Sequence, residues 1–227
     1  MHNVKLPAPL LKSIRDNDRR QRFFSAFAGP RTALLVVDMQ NHWVHPHGAC
    51  HVAHAAGIVD NINRLAAALR VARGTVVWIQ STLTLDGPQA WPMLFDCIAD
   101  EATADLERRE LMAGNPMHEL CRELDVRDGD WFAAKCRFSA FIPGASDLGP
   151  RLRTAGIDSL IVTGVTTNIC CESTARDAMM LDFRTVMIDD ANAAYTDEEH
   201  LAGLWSFAQV FGDVLSTADL LPRISAS

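Results

Sequence analysis

The sequence predicts an α/β protein built on a parallel sheet of six buried strands with helices on both faces. Three observations carry that reading. Short apolar runs recur at 32–37, 75–80, 131–135, 159–163, 184–188 and 213–215. Most are continuous rather than alternating, as strands covered on both faces require. Helical segments separate most of them, and regular strand–helix alternation is the pattern of parallel strands joined by crossovers. Finally, 227 residues with 48% hydrophobic and 22% charged content suit one large domain with a substantial core.

The elements follow in order. Residues 1–30 read as an N-terminal arm of one helix, packing on the domain or on a neighbouring subunit, and the domain itself spans 31–222. The first strand is Thr32-Ala33-Leu34-Leu35-Val36-Val37. Residues 57–72 have helical spacing, with Ile58, Ile62, Leu65 and Leu69 on one face. Gly74 stops that helix before a strand over 75–80. Residues 81–115 are punctuated by Gly87-Pro88, Trp91-Pro92 and Gly114-Asn115-Pro116 and read as long loops near the site, with helical character in the mixed-charge stretch 99–112. The strand at 131–135 and a helix over 145–156 follow. Next come the strand at 159–163, a tight turn at Gly164, and a helix over 167–181. A strand at 184–188, a helix at 197–209 and a short strand at 213–215 complete the pattern. In such a sheet the site lies outside the carboxyl ends of the strands.

Composition excludes several function classes. A net charge of −7 and a pI near 5.6, with no Lys/Arg-rich run, argue against nucleic acid or an anionic membrane as partner. No run approaches the roughly 20 apolar residues of a membrane span. The first 20 residues carry Lys5, Lys12, Arg15, Arg19 and Arg20 without the apolar core of a signal peptide. The six cysteines include no C-x-x-C pair, so reduced thiols and a cytoplasmic location are expected.

Three positions carry chemistry. Cys170 falls in the first turn of a helix entered from a buried strand, where unpaired N–H groups and the helix dipole favour negative charge. A thiol there is expected to ionise easily, and the same N–H groups suit an oxyanion. A lone cysteine after a strand is more often a small core residue. Asp38 follows the first strand directly, where an acidic residue is commonly a cap, and Lys135 ends the strand at 131–135, where lysine commonly snorkels. Together the three sit at the carboxyl ends of different strands and can converge as nucleophile, base and cation.

The segments V-V-D-M-Q-N (36–41), K-C-R-F-S-A-F (135–141) and V-T-G-V-T-T-N-I-C-C-E-S-T-A-R-D-A (162–178) resemble the isochorismatase-like cysteine hydrolase family, from about Thr32 to Leu221. The resemblance implies a three-layer, Rossmann-type α/β/α sandwich with a catalytic triad of Cys170, Asp38 and Lys135. It also implies a cis peptide at Val165–Thr166 that aims the Thr166 N–H, beside that of Cys170, at an oxyanion. Members that cleave a vinyl ether need no cysteine, so Cys170 points to the amidohydrolase branch, similar to ureidoacrylate, biuret and carbamoyl-amide hydrolases. A small amide or ureido substrate and a thioester acyl-enzyme follow from it. Vinyl-ether hydrolysis, or a catalytically silent binding subunit, are the alternatives. Metal-binding members carry D-x-H after the second strand; here Gln80-Ser81-Thr82-Leu83-Thr84-Leu85-Asp86 lacks it, so no metal and no cofactor are expected. The resemblance further implies a homo-oligomer, dimer or tetramer.

Around the triad, Asn41 and Gln80 are candidates for polar substrate contacts, Trp43 for an apolar wall, and Trp91 and Phe138 for covering the site. Histidines 42, 45, 47, 51 and 54 crowd one loop and suit substrate contact or solvation better than a metal, because ligand spacing is missing. Arg176 and Asp177 read as a pair anchoring the helix after Cys170, and Glu172 as a complement to its dipole.

Overall fold

The computed structural model describes residues 2–226. Its centre is a six-stranded, all-parallel sheet. The strands are β1 (Thr32–Val37), β2 (Thr75–Ser81), β3 (Trp131–Lys135), β4 (Ser159–Val165), β5 (Arg184–Ala193) and β6 (Asp213–Leu215). Their order across the sheet is β3-β2-β1-β4-β5-β6. The chain therefore winds outward one way from β1, returns, and winds the other way from β4. The ends of β1 and β4 flank the switch point, the crevice where such sheets bind ligands.

The side-chain alternation of β1 explains the layers. Leu34 and Val36 face one core with Ile62, Leu65 and Leu69 of α3 (Val59–Val71). Ala33, Leu35 and Val37 face the other core with Leu148 and Leu152 of α5 (Leu148–Thr154), Ala175 and Ala178 of α6 (Glu172–Met180), and Leu204 and Phe207 of α7 (Asp197–Val210). A strand buried on both faces reads as an unbroken apolar run, as this one does.

The arm differs from its expected single helix. Two short helices, α1 (Ala8–Arg15) and α2 (Asp18–Phe23), are separated at Asn17, whose side chain accepts the Arg20 N–H and caps the second. Arg20 anchors α2 to the Gly212 carbonyl and to Asp213 at the sheet edge. Gly164 is likewise not in a turn, because β4 runs through it to Val165. Its φ of 114° and the Val37 carbonyl, with which a β-carbon would collide, both demand glycine. β5 extends to Ala193, well past the expected 188, and residues 81–130 contain α4 (Ala104–Glu110) together with short helical turns at Pro88–Ala90 and Pro92–Phe95.

Candidate active site

Sheet register assembles the site. Val37 of β1 is flanked by Ile79 of β2 and Gly164 of β4, and Ser81 of β2 pairs with Lys135 of β3. The carboxyl ends of four adjacent strands thus bring Lys135, Ser81, Asp38 and the turn after β4 side by side. Asp38 leaves β1 with φ 54°, a left-handed conformation that Asp tolerates better than most residues. Its side chain is fully buried, as is that of Lys135.

The charges are closely arranged. Lys135 Nζ lies 2.8 Å from Asp38 Oδ2 and 3.6 Å from Cys170 Sγ. The same ammonium donates to Ser81 Oγ at 2.8 Å and to the Arg137 carbonyl at 3.1 Å. Ser81 Oγ donates in turn to Asp38 Oδ1 at 3.0 Å. Asp38 Oδ2 is ion-paired with Lys135, and the Cys170 thiol lies within reach of the same carboxylate. Burial pulls the Lys135 ammonium down, but Asp38 and the Cys170 thiol outweigh it and hold its pKa above the ordinary value.

Cys170 reverses one expectation. The turn Thr167–Cys171 is π-helical and leads into α6, so the cysteine does lie in a first helical turn. Burial nevertheless pushes its thiol well above the ordinary range; Lys135 opposes that shift and Asp38 adds to it. Desolvation disfavours the thiolate, so this buried thiol gives up its proton less readily than a free one. The Val165–Thr166 peptide is cis, and the Thr166 N–H donates to no protein acceptor among the described residues.

These groups open into a cavity of about 240 Å³, lined by Ser81, Thr166 and Cys170 together with Trp43, Trp91, Phe138 and the loop residues Leu83, Leu94, Phe95 and Leu111. Trp91 and Phe138 meet edge to face, with centroids 4.6 Å apart. Asn41 and Gln80 are not in this lining, contrary to their expected role. The Asn41 amide donates to the Pro116 carbonyl at 2.9 Å and that of Gln80 to the His118 carbonyl at 3.0 Å, so both secure the 116–118 loop.

Of the loop histidines, His42 alone lines the cavity among the described residues. It is buried, bonded through Nδ1 to Glu110 Oε2 at 2.7 Å, and burial lowers its pKa against the pull of that carboxylate. His54 meets His2 and Asp197, the one grouping of His, Cys, Asp and Glu among the described residues close enough to share a metal ion. None of its three members lines the cavity, and both His2 ring nitrogens are engaged, Nδ1 with Asp197 at 2.6 Å and Nε2 with the Ala194 N–H at 3.0 Å. Arg176 pairs with Glu172 at 2.5 Å and with Ser206 rather than with Asp177.

Sequence reasoning missed Ser81 and Gln40. The Gln40 amide accepts the Ser81 N–H at 2.7 Å and donates to the Ser81 carbonyl at 3.1 Å, fixing the serine in place. A serine closing a strand carries no pattern of its own; the register of β2 against β3 is what reveals it.

The isochorismatase domain family matches residues 32–219, so the chain belongs to the isochorismatase family. Ureidoacrylate amidohydrolase RutB of Caulobacter vibrioides is 33% identical over 201 residues, 83% of this chain and 88% of the relative. A cysteine hydrolase from Pseudomonas syringae pv. phaseolicola superposes with a TM-score of 0.78 at 30% identity, covering 87% of this chain and 93% of that one. N-carbamoylsarcosine amidase from Thermoplasma acidophilum gives 0.66 at 26% identity, covering 82% and 96%. The chain is a hydrolase acting on carbon–nitrogen bonds other than peptide bonds. No helix among the described residues is long and apolar enough to cross a membrane.

Proposed function

We propose that the chain cleaves the C–N bond of a small amide or ureido compound through a Cys170 thioester, without a metal. The observation that carries this reading is the single line of contacts Cys170 Sγ, Lys135 Nζ and Asp38 Oδ2, at 3.6 and 2.8 Å. Because burial disfavours a free thiolate, attack is coupled to proton transfer. Asp38, ion-paired through Oδ2 with the ammonium, takes the thiol proton as Sγ bonds to the carbonyl carbon. The Lys135 cation steadies the thiolate as it forms and keeps the carboxylate in place. The Thr166 and Cys170 N–H groups receive the oxyanion. Collapse of the tetrahedral species breaks the C–N bond, and Asp38 returns the proton to the departing nitrogen. Water then enters, gives its proton to Asp38, and attacks the thioester; the carboxylic acid leaves and the proton returns to sulfur.

The family names found among its relatives support a ureido or carbamoyl group as the scissile unit. The test is ammonia release from a panel of small amides and ureides, with wild type compared with Cys170→Ala. Hydrolysis by wild type, its loss in the variant, and an acyl adduct on the Cys170 peptide by mass spectrometry are expected. Full activity in Cys170→Ala would sink the proposal.

A further inference from the structure

We infer that Glu107 selects the substrate, by receiving a positively charged nitrogen at the end of the molecule remote from the carbonyl held at Cys170. This rests on the amidohydrolase reading and adds the class of substrate to it. The cavity wall is largely aromatic and aliphatic, yet two carboxylates open onto it together with Cys170: Glu107 of α4, and Asp100, whose Oδ1 accepts the Ala102 N–H at 2.8 Å. A carboxylate in such surroundings needs a cation or several donors. The protein supplies little. Thr103 Oγ1 donates to Glu107 Oε1 at 2.8 Å, and the Cys50 thiol lies against it. Burial first, and then Glu107, push that thiol up to about 12, so Cys50 offers only a weak neutral donor.

No basic side chain pairs with Glu107 among the described residues. Its helix neighbours turn elsewhere, Arg108 to Asp96 at 2.7 Å and Arg109 to Asp105 at 4.0 Å. His42 is committed to Glu110. Arg137, the other cation of the lining, donates to the carbonyls of Cys136 at 2.6 Å and Pro88 at 3.2 Å and lies over the Trp91 ring. Glu107 thus has no basic side-chain ion-pair partner among the described residues, in a small cavity shared with the nucleophile. An ammonium supplies the missing charge, whereas a carboxylate in the same place meets repulsion.

The experiment uses three amides of matched length: 4-aminobutanamide, which ends in ammonium, pentanamide, which ends in methyl, and glutaramate, which ends in carboxylate. Binding to the full-length Cys170→Ala protein is followed by fluorescence of Trp43 and Trp91, and ammonia release is measured separately with intact Cys170. We expect the ammonium compound to bind at least about tenfold more tightly than the carboxylate, the order of one charge-assisted contact. Glu107→Gln should erase that preference and Glu107→Lys invert it, with circular dichroism confirming the fold of each. Equal binding of the three compounds, or an unchanged ranking in folded Glu107→Gln, overturns the assignment. Loss of all ammonia release with the ranking intact overturns the hydrolytic reading instead.

Discussion

Ser81 is where the buried charges of this site are bridged and aligned. Its hydroxyl accepts from Lys135 and donates to Asp38, so each charged group keeps one more bond than the ion pair provides. A buried ion pair is stable only when its remaining donors and acceptors are met. Ser81→Ala removes both bonds at once. The expected result is a loss of about 1–3 kcal/mol in stability from the unsatisfied groups. Turnover should fall further than substrate affinity, on the order of tenfold or more in kcat, because Asp38 loses its orientation as a proton acceptor. Urea unfolding and steady-state kinetics read the two effects; unchanged kcat in a folded variant would remove Ser81 from the mechanism. Asp38, Lys135 and Cys170 are legible in the sequence because strand ends and a specific motif mark them. Ser81 is not, since its role exists only once β2 is placed in register between β1 and β3. Asn41 and Gln80 fail as sequence-based choices for the same reason: flanking the right strands said nothing about which way their amides turn.

At the scale of elements, the turn that carries the nucleophile is shaped from behind by α7. Gly203 of that helix packs against Asn168, and an added β-carbon would lie 2.9 Å from the Asn168 Cα. Helix propensity favours alanine over glycine by about 1 kcal/mol, yet here the methyl group meets backbone that cannot swing aside. Gly203→Ala is therefore expected to displace the 166–170 turn. A lower Tm despite the better helix former, and at least a tenfold loss of kcat/KM, are the outcomes to seek. A higher Tm with full activity would show that the turn yields freely. Most elements were legible, because apolar runs and helical spacing report burial on one or two faces. The π-turn was not: Thr167–Cys171 reads as the start of an ordinary helix, and only its fit beneath α7 shows otherwise. Nor was the split of the arm, since a run of charged residues around Asn17 hides a cap. The strand β5 outruns its apolar signal because the Asn192 side-chain amide donates to the carbonyls of Val162 at 2.9 Å and Ile188 at 2.7 Å.

For the whole molecule, acid stability ties the arm, α7 and the nucleophile turn together. His200 of α7 accepts or donates through Nδ1 to Thr167 Oγ1 at 2.7 Å and stacks on His2 of the arm at 4.2 Å. Burial, with the nearby His2, holds its pKa down to about 3. His42, beside the cavity, is lowered as well. A histidine whose folded pKa lies below its unfolded value near 6.5 takes up its proton first in the unfolded chain. Stability is then complete above that value and is lost as pH falls from about 6.5 toward 3. Asp189 of β5 acts with the opposite sign. Burial first, and then Asp190, raise it to about 6, and one of its oxygens is buried without a partner. The folded state therefore binds its proton more readily, so Asp189 weakens the fold as pH rises from about 4 to 6. The two effects predict distinct slopes in a series of Tm measurements between pH 4 and 7. His200→Gln should flatten the acid loss, whose histidine part is on the order of 3 kcal/mol over the window. Asp189→Asn should raise Tm at pH 7, leave it unchanged near pH 4, and so steepen the same curve. Parallel curves for all three proteins would mean that neither group titrates with folding. In that case the contact from arm through His200 to Thr167 would not govern how the molecule comes apart in acid.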